Sequence, residues 1–228
     1  MRRSCICHLL GQDTDTTAVY LQNALQAARD TSLPKLVFTT SGPTDERLIN
    51  SEVSERNIAS RDAVLSSGVP SVVLKPTAYL ENLLQPQMRA DIVSNGVIRY
   101  PLSASRRVSW TSQQDQAELA IAAMTNQEAV GKSYFISTSE PVTGEELAAL
   151  LSSHLGRDVQ YQGLTPQQFG GGIAAFAGET TGRQLIELYN AIEALPPDGM
   201  VVNMSEVLQA LPVNITPVPS WVEQQNWQ

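Results

Sequence analysis

The side chains best placed to do chemistry gather in two short stretches. Thr39-Thr-Ser41 follows the apolar run Lys35-Leu-Val-Phe, and Pro76-Thr-Ala-Tyr79-Leu-Glu-Asn82 follows Val72-Val-Leu-Lys. Tyr79 carries a phenol that can give a proton or a hydrogen bond to a carbonyl oxygen, which makes it the candidate catalytic residue; a half-buried aromatic is the other reading. The hydroxyls of Thr39, Thr40, Ser41 and Thr77 can hold a ligand or satisfy their own turns. Pro76, Asn82 and Trp110 complete the expected pocket, although Glu81 and Asn82 equally suit anchoring the next helix, and Tyr100 and Trp110 equally suit packing. No metal set is expected. Cys5 and Cys7 lie two apart, so on a strand they share a face, are poor disulfide partners, and find no further ligand nearby. His8 and His154 have no neighbours that make a triad.

Both stretches end runs that read as buried strands, with a helical pattern between them. Strand, helix and strand in that order form a right-handed crossover in a parallel sheet, whose ligands bind beyond the carboxyl ends of the strands. Thr39, Thr40, Ser41, Pro76, Thr77 and Tyr79 are therefore expected to line one crevice. Ahead of them, Cys5 to Leu10 reads as a strand and Gly11 to Thr17 as a polar loop with Asp13 and Asp15. Leu21, Ala24, Leu25 and Ala28 then fall on one helical face. A polar segment from Asp45 turns helical through Ile58, Val64 and Leu65 and closes at Gly68. After Tyr79 the pattern predicts a helix through Leu83 toward Ile92, stopping near Asn95-Gly96. Capping boxes are expected at Thr111-Ser-Gln-Gln114, Thr143-Gly-Glu-Glu146 and Thr165-Pro-Gln-Gln168, with a strand from Ser133 to Ile136 between the first two. Gly170-Gly-Gly172 reads as a flexible loop.

The chain is long enough, at 228 residues and 42% hydrophobic, for one large or two small domains with a real core. A formal net charge of -8, with Arg2-Arg3 and Arg106-Arg107 as isolated pairs, argues against nucleic acid as a partner. The apolar run after Arg3 is too short and interrupted for a signal peptide or a membrane span, so the expectation is a cytoplasmic protein with no membrane partner. The sequons at Asn203 and Asn214 are then chance matches.

Taken in order, Val37-Phe-Thr-Thr-Ser-Gly42, Ser67-Gly68 through Lys75-Pro76 to Tyr79-Leu-Glu-Asn82, and Thr143-Gly-Glu-Glu-Leu-Ala148 with Leu155-Gly-Arg-Asp-Val159 resemble the NmrA-like family of atypical short-chain dehydrogenases. That family includes quinone reductases and NADP(H)-sensing regulators. The resemblance implies an α/β, Rossmann-like three-layer parallel sheet over residues 1–140, reduced at the N-terminus, and a smaller, mainly helical substrate-side portion over residues 141–228. Val159 to Phe169 looks like the entry into that portion, where Phe176, Leu185, Leu188 and Tyr189 supply pocket wall as well as core.

The resemblance also implies NADP(H), but the family's opening glycine-rich turn, which holds the pyrophosphate, is absent here, and the first eleven residues align with the family's fourth strand. An unpaired edge near Cys5 is then expected, and with it a homodimer through that strand, or a covering segment from elsewhere in the chain. The family's acid/base lysine or histidine falls at Asn57 or Arg61, neither of which titrates near neutral pH. Arg56 or Arg61 could hold an anion, or both read as helix-surface charges paired with Glu52, Glu55 or Asp62. The functional expectation is a protein acting on a small organic molecule: an oxidoreductase by resemblance, or a cofactor-independent isomerase, dehydratase or cyclase. The alternatives are a non-catalytic ligand-sensing or regulatory relative, or a shortened product of an ordinary oxidoreductase gene.

Overall fold

Four short apolar runs pair in parallel as the central sheet of the computed structural model, which describes residues 5–8, 14–138 and 140–227. They are β1 (Cys5–His8), β2 (Leu36–Thr39), β3 (Ser71–Pro76) and β7 (Ser133–Ile136), in the order β1-β2-β3-β7. The register sets Val37 beside Val72 and Phe38 beside Val73, so side chains alternate between two covered faces. Phe38 and Val73 pack on Leu21 and Leu25 of α1 (Thr14–Asp30) and Val64 of α2 (Glu52–Leu65). Val37, Val72 and Leu74 pack on Leu119 and Ala123 of α4 (Gln113–Thr125) and on Met204, Val207 and Leu211 near the chain's end. Burial on both faces is why β2 and β3 read as continuous apolar runs.

Several expectations need correction. The helix α1 begins at Thr14, inside the stretch read as a loop up to Thr17, with Asp15 in its first turn, where a carboxylate complements the helix dipole. Gly11 to Asp13, like Leu9 and Leu10, lie outside the described residues. The helix expected after Tyr79 is broken into a 3-10 turn at Leu80–Leu84, a short α3 (Pro86–Ala90) and a wide turn at Asp91–Asn95. Pro86 causes the first break, because the residue before a proline is driven out of the helical region and Gln85 sits at φ -56°, ψ 139°. Gly96, at φ 64°, ends the segment as expected; a Cβ there would lie 2.7 Å from the Asp158 carbonyl oxygen.

Four short strands went unread: β4 (Ala78–Tyr79) pairs with β6 (Trp110–Thr111), and β5 (Val97–Tyr100) with β8 (Gln160–Gly163), both in parallel. Because Thr111 lies in β6, its hydroxyl donates to the Ile136 carbonyl (2.8 Å), and Ser112 caps α4 in its place by accepting from Asp115 N. The boxes at Thr143 and Thr165 do form, opening α5 (Gly144–Leu155) and α6 (Pro166–Ala177). Gly170-Gly-Gly172 is not a loop but part of α6, where Gly170 lets α7 (Glu179–Glu193) approach closely. The short helices α8 (Ser205–Ala210) and α9 (Val218–Gln224) follow.

One hydrophobic cluster runs from Leu48, Leu80 and Tyr100 through Leu147 and Leu151 to Leu188, Trp221 and Trp227, on both sides of residue 140. Lys35, almost wholly buried, donates to the Ala123 and Asn126 carbonyls (3.1 and 2.6 Å) and so satisfies the end of α4. Among the described residues no helix is long and apolar enough to cross a membrane, and no group of acidic, histidine or cysteine residues is arranged to hold a metal.

Candidate active-site chamber

Beyond the carboxyl ends of β2 and β3 the chain makes two tight turns, each satisfied by side chains. Thr40 donates its hydroxyl to the Gly42 carbonyl (3.2 Å) and accepts from Thr44 (3.0 Å), while the Asn57 amide donates to the Gly42 and Pro43 carbonyls (3.5 and 3.3 Å). Thr77 donates its hydroxyl to the Ser109 carbonyl, and its backbone N–H donates to the Thr111 hydroxyl (3.0 Å), which fixes the end of β3 against β6. These bonds position a chamber of about 210 Å³. Its polar wall is Ser41, Thr77, Tyr79, Asn82, Tyr100 and Tyr189; Leu185, Leu188 and Ile192 of α7 and Met200 close it. Among the described residues, no Asp, Glu, Lys or Arg lines it.

A larger chamber of about 450 Å³ shares Asn82, Tyr100, Leu185 and Tyr189 with the first and adds Met88, Leu164, Phe169, Ile173 and Phe176. It also carries Asp91 and Arg99, paired at 2.8 Å. The structure thus brings Ser41, Thr77, Tyr79 and Asn82 together. Pro76 lines a separate pocket that Thr77 shares, and Thr39 and Thr40 are buried and line neither chamber. Trp110 is buried as well, and packs edge-on against Tyr100 with ring centroids 5.2 Å apart.

Two tyrosines whose polar role was not read from the sequence stand at the junction. Tyr100, 1% exposed at the end of β5, accepts hydrogen bonds from the Asn82 amide (3.1 Å) and the Tyr189 hydroxyl (3.0 Å). Its ring is clamped by Trp110, Tyr189 and Phe169. Burial raises the Tyr100 phenol above its ordinary pKa, with the bonds from Tyr189 and Asn82 opposing, and burial raises Tyr189 further. Tyr79 is also pushed up by burial, opposed by a hydrogen bond with Gln116, which does not line the chamber. All three phenols therefore stay protonated near neutral pH, as hydrogen-bond donors rather than bases.

Other polar residues serve the frame. The Glu81 carboxylate accepts from Gln113 N (3.0 Å) and from the Trp221 indole (3.3 Å), so it anchors α4 and α9 rather than the turn that contains it. Arg61 pairs with Glu46 (2.5 Å) and Asp62 (2.8 Å), and Glu52 pairs with Arg183 (2.9 Å). Lys75 is a buried cation on β3 that sequence reading passed over. Its ammonium lies 3.6 Å from the Phe135 ring centroid, and burial, then repulsion by Arg61, lowers its pKa. The signal was a lysine inside an otherwise apolar strand.

A dinucleotide would need backbone amides at a helix N-terminus, or cations, for its pyrophosphate. Among the described residues no glycine-rich turn leads a strand directly into a helix, and the 210 Å³ chamber lacks cations. The described residues do not themselves fit a pyrophosphate.

Residues 17–212 match the NmrA-like family. The chain is similar to a (4-alkanoyl-5-oxo-2,5-dihydrofuran-3-yl)methyl phosphate reductase of Streptomyces griseus, 32% identical over 112 residues, 49% of this chain and 39% of that protein. It is similar to an NAD(P)H azoreductase of Xenophilus azovorans, 30% identical over 141 residues, 61% of this chain and 47% of that protein. The aligned stretch thus spans less than half of either relative. In fold it is similar to a Citrobacter sp. triphenylmethane reductase solved with NADP(H), with TM-score 0.76 and 21% identity, covering 97% of this chain and 75% of that one.

Proposed function

Because the chain belongs to the NmrA-like family, we propose that its chambers form the substrate side of a reductase pocket for an uncharged small organic molecule with a carbonyl-type oxygen. The observation that carries this reading is the lining of the smaller chamber: hydroxyls and an amide for one acceptor oxygen, aliphatic side chains for the rest, and no charge. A charged ligand buried there would lack a counter-ion, whereas a neutral oxygen needs only a donor. Two relatives are named as reductases, one of them for NAD(P)H. Reduction of a ketone-like or quinone-like acceptor is the reaction we assign to the whole pocket; NADP(H) would supply the hydride there only if residues other than those described hold its pyrophosphate. Within it Tyr79, Asn82, Ser41 and Thr77 are wall residues offering hydrogen bonds. A second reading is ligand sensing without turnover; it draws support from the lack, among the described residues, of a glycine-rich turn leading a strand directly into a helix to hold a pyrophosphate.

The test is calorimetric titration of the chain with 1-tetralone, a bicyclic aryl ketone, and with NADPH. Saturable ketone binding that disappears in Leu188→Trp, which fills the chamber, is expected with far-UV circular dichroism unchanged. Undiminished binding in Leu188→Trp would place the ligand elsewhere and sink the reading. Ketone-dependent loss of NADPH absorbance separates turnover from sensing.

A further inference from the structure

Resting on the reading of the chamber as a ligand pocket, we propose that Tyr100 recognises the ligand. Its phenolic proton donates to the carbonyl oxygen, while Asn82 and Tyr189 hold the phenolic oxygen from behind. The argument is a count of donors. The Asn82 amide and the Tyr189 hydroxyl both give their hydrogen bonds to the Tyr100 oxygen. An oxygen that accepts twice keeps its own proton for a third partner, and among the described residues no acceptor receives it. Tyr100 is 1% exposed, so that proton has little access to bulk water, and the residue lines both chambers. A buried donor without an acceptor carries a desolvation cost that an oxygen in the chamber removes. Two donors on one hydroxyl oxygen also polarise its O–H bond and strengthen it as a donor.

The aromatic clamp fixes the direction of this donor. Trp110, Tyr189 and Phe169 surround the Tyr100 ring at centroid distances of 5.2, 6.0 and 6.1 Å. The ligand class follows from what adjoins it. One acceptor oxygen sits at the Tyr100 hydroxyl, and an apolar body extends among Met88, Phe169, Ile173 and Phe176 of the larger chamber. Carboxylates are disfavoured, because the smaller chamber has no cation.

The experiment compares 1-tetralone with tetralin, which differ by the carbonyl oxygen, using calorimetry on the wild-type chain and on Tyr100→Phe, Tyr189→Phe and the double variant. The wild type is expected to prefer the ketone about two- to tenfold, the worth of one net hydrogen bond. In Tyr100→Phe the preference falls to unity while tetralin still binds. Tyr189→Phe reduces the preference, and its effect vanishes in the Tyr100→Phe background, as a supporting group acting through Tyr100 requires. Replacement of Tyr100 by 3-fluorotyrosine, a better donor of nearly the same shape, raises the preference, and this arm decides should Tyr100→Phe fail to fold. Preference retained in Tyr100→Phe, or unchanged with 3-fluorotyrosine, overturns the donor assignment and leaves the pocket standing. Failure of the wild type to bind either compound overturns both.

Discussion

Asp115, 2% exposed in the first turn of α4, accepts from the backbone N–H of Thr216 (3.2 Å) and from its hydroxyl (2.8 Å), tying the C-terminal segment to the sheet. Burial raises its carboxyl pKa above the ordinary 3.8, with the Thr216 bonds opposing and Glu118 and Glu81 adding to the rise. A raised folded pKa means that the folded state holds the proton more tightly than the unfolded chain. The stability this contributes is fully present below 3.8 and is lost as pH rises through the folded value. Wild type should therefore lose stability relative to Asp115→Asn between pH 3.5 and pH 7 in urea titrations. A difference that stays flat, or moves the other way, would refute it. At this scale the sequence revealed only part of the site. The crossover rule led to Ser41, Thr77 and Tyr79 because strand ends can be read from local pattern. Asn82 meets Tyr100 across 18 residues and Tyr100 meets Tyr189 across 89, and no spacing rule reports such meetings. Thr40 fell the other way because its hydroxyl was taken by its own turn.

The pair α6 and α7 carries the chamber's aliphatic wall, and it rests on glycines. A Cβ on Gly182 would lie 2.6 Å from the Gly170 carbonyl oxygen and 2.7 Å from the Ala174 Cβ, whereas one on Gly171 meets nothing. Gly182→Ala must push backbone against backbone, so it should destabilise the fold and loosen Leu185, Leu188 and Tyr189 at the chamber wall. Gly171→Ala, in an exposed helix interior, should stabilise by about 0.5–1 kcal/mol by restricting the unfolded chain. Chemical denaturation of the two variants checks the opposite signs; the same sign for both would show that α6 and α7 do not pack this closely. An element with a long periodic face and a complete cap, such as α5, could be read directly, whereas for α6 only the opening cap was legible, because Gly170-Gly-Gly172 reads as a loop. The strands β4, β6 and β8 could not, because β4 and β6 hold two residues each and β8 pairs through a polar, mostly exposed segment. The box misread at Thr111 has the same origin, since a tertiary acceptor at Ile136 competed for the hydroxyl and moved the cap by one residue.

Among the described residues, two of the hydrophobic clusters run across residue 140. Leu48 and Leu80 share a cluster with Leu188 and Trp227, and Met204, Val207 and Leu211 cover the same sheet face as Val37. Trp221, 3% exposed on α9, locks this arrangement: its indole donates to Glu81, which also receives the first turn of α4, and its ring stacks edge-on with Trp227 at 6.2 Å. If each part needs the other's apolar surface, the parts lose stability together. Helical signal in the far ultraviolet, and fluorescence dominated by tryptophans near the chain's end, should then give superimposable urea transitions. Trp221→Ala should cost about 3–5 kcal/mol, because it removes a large buried ring and leaves a cavity, and it should move both transitions by the same amount. Separate midpoints, or a shift confined to fluorescence, would mean that the C-terminal portion unfolds alone. The chamber would then open before the sheet melts, since α7 supplies its lid.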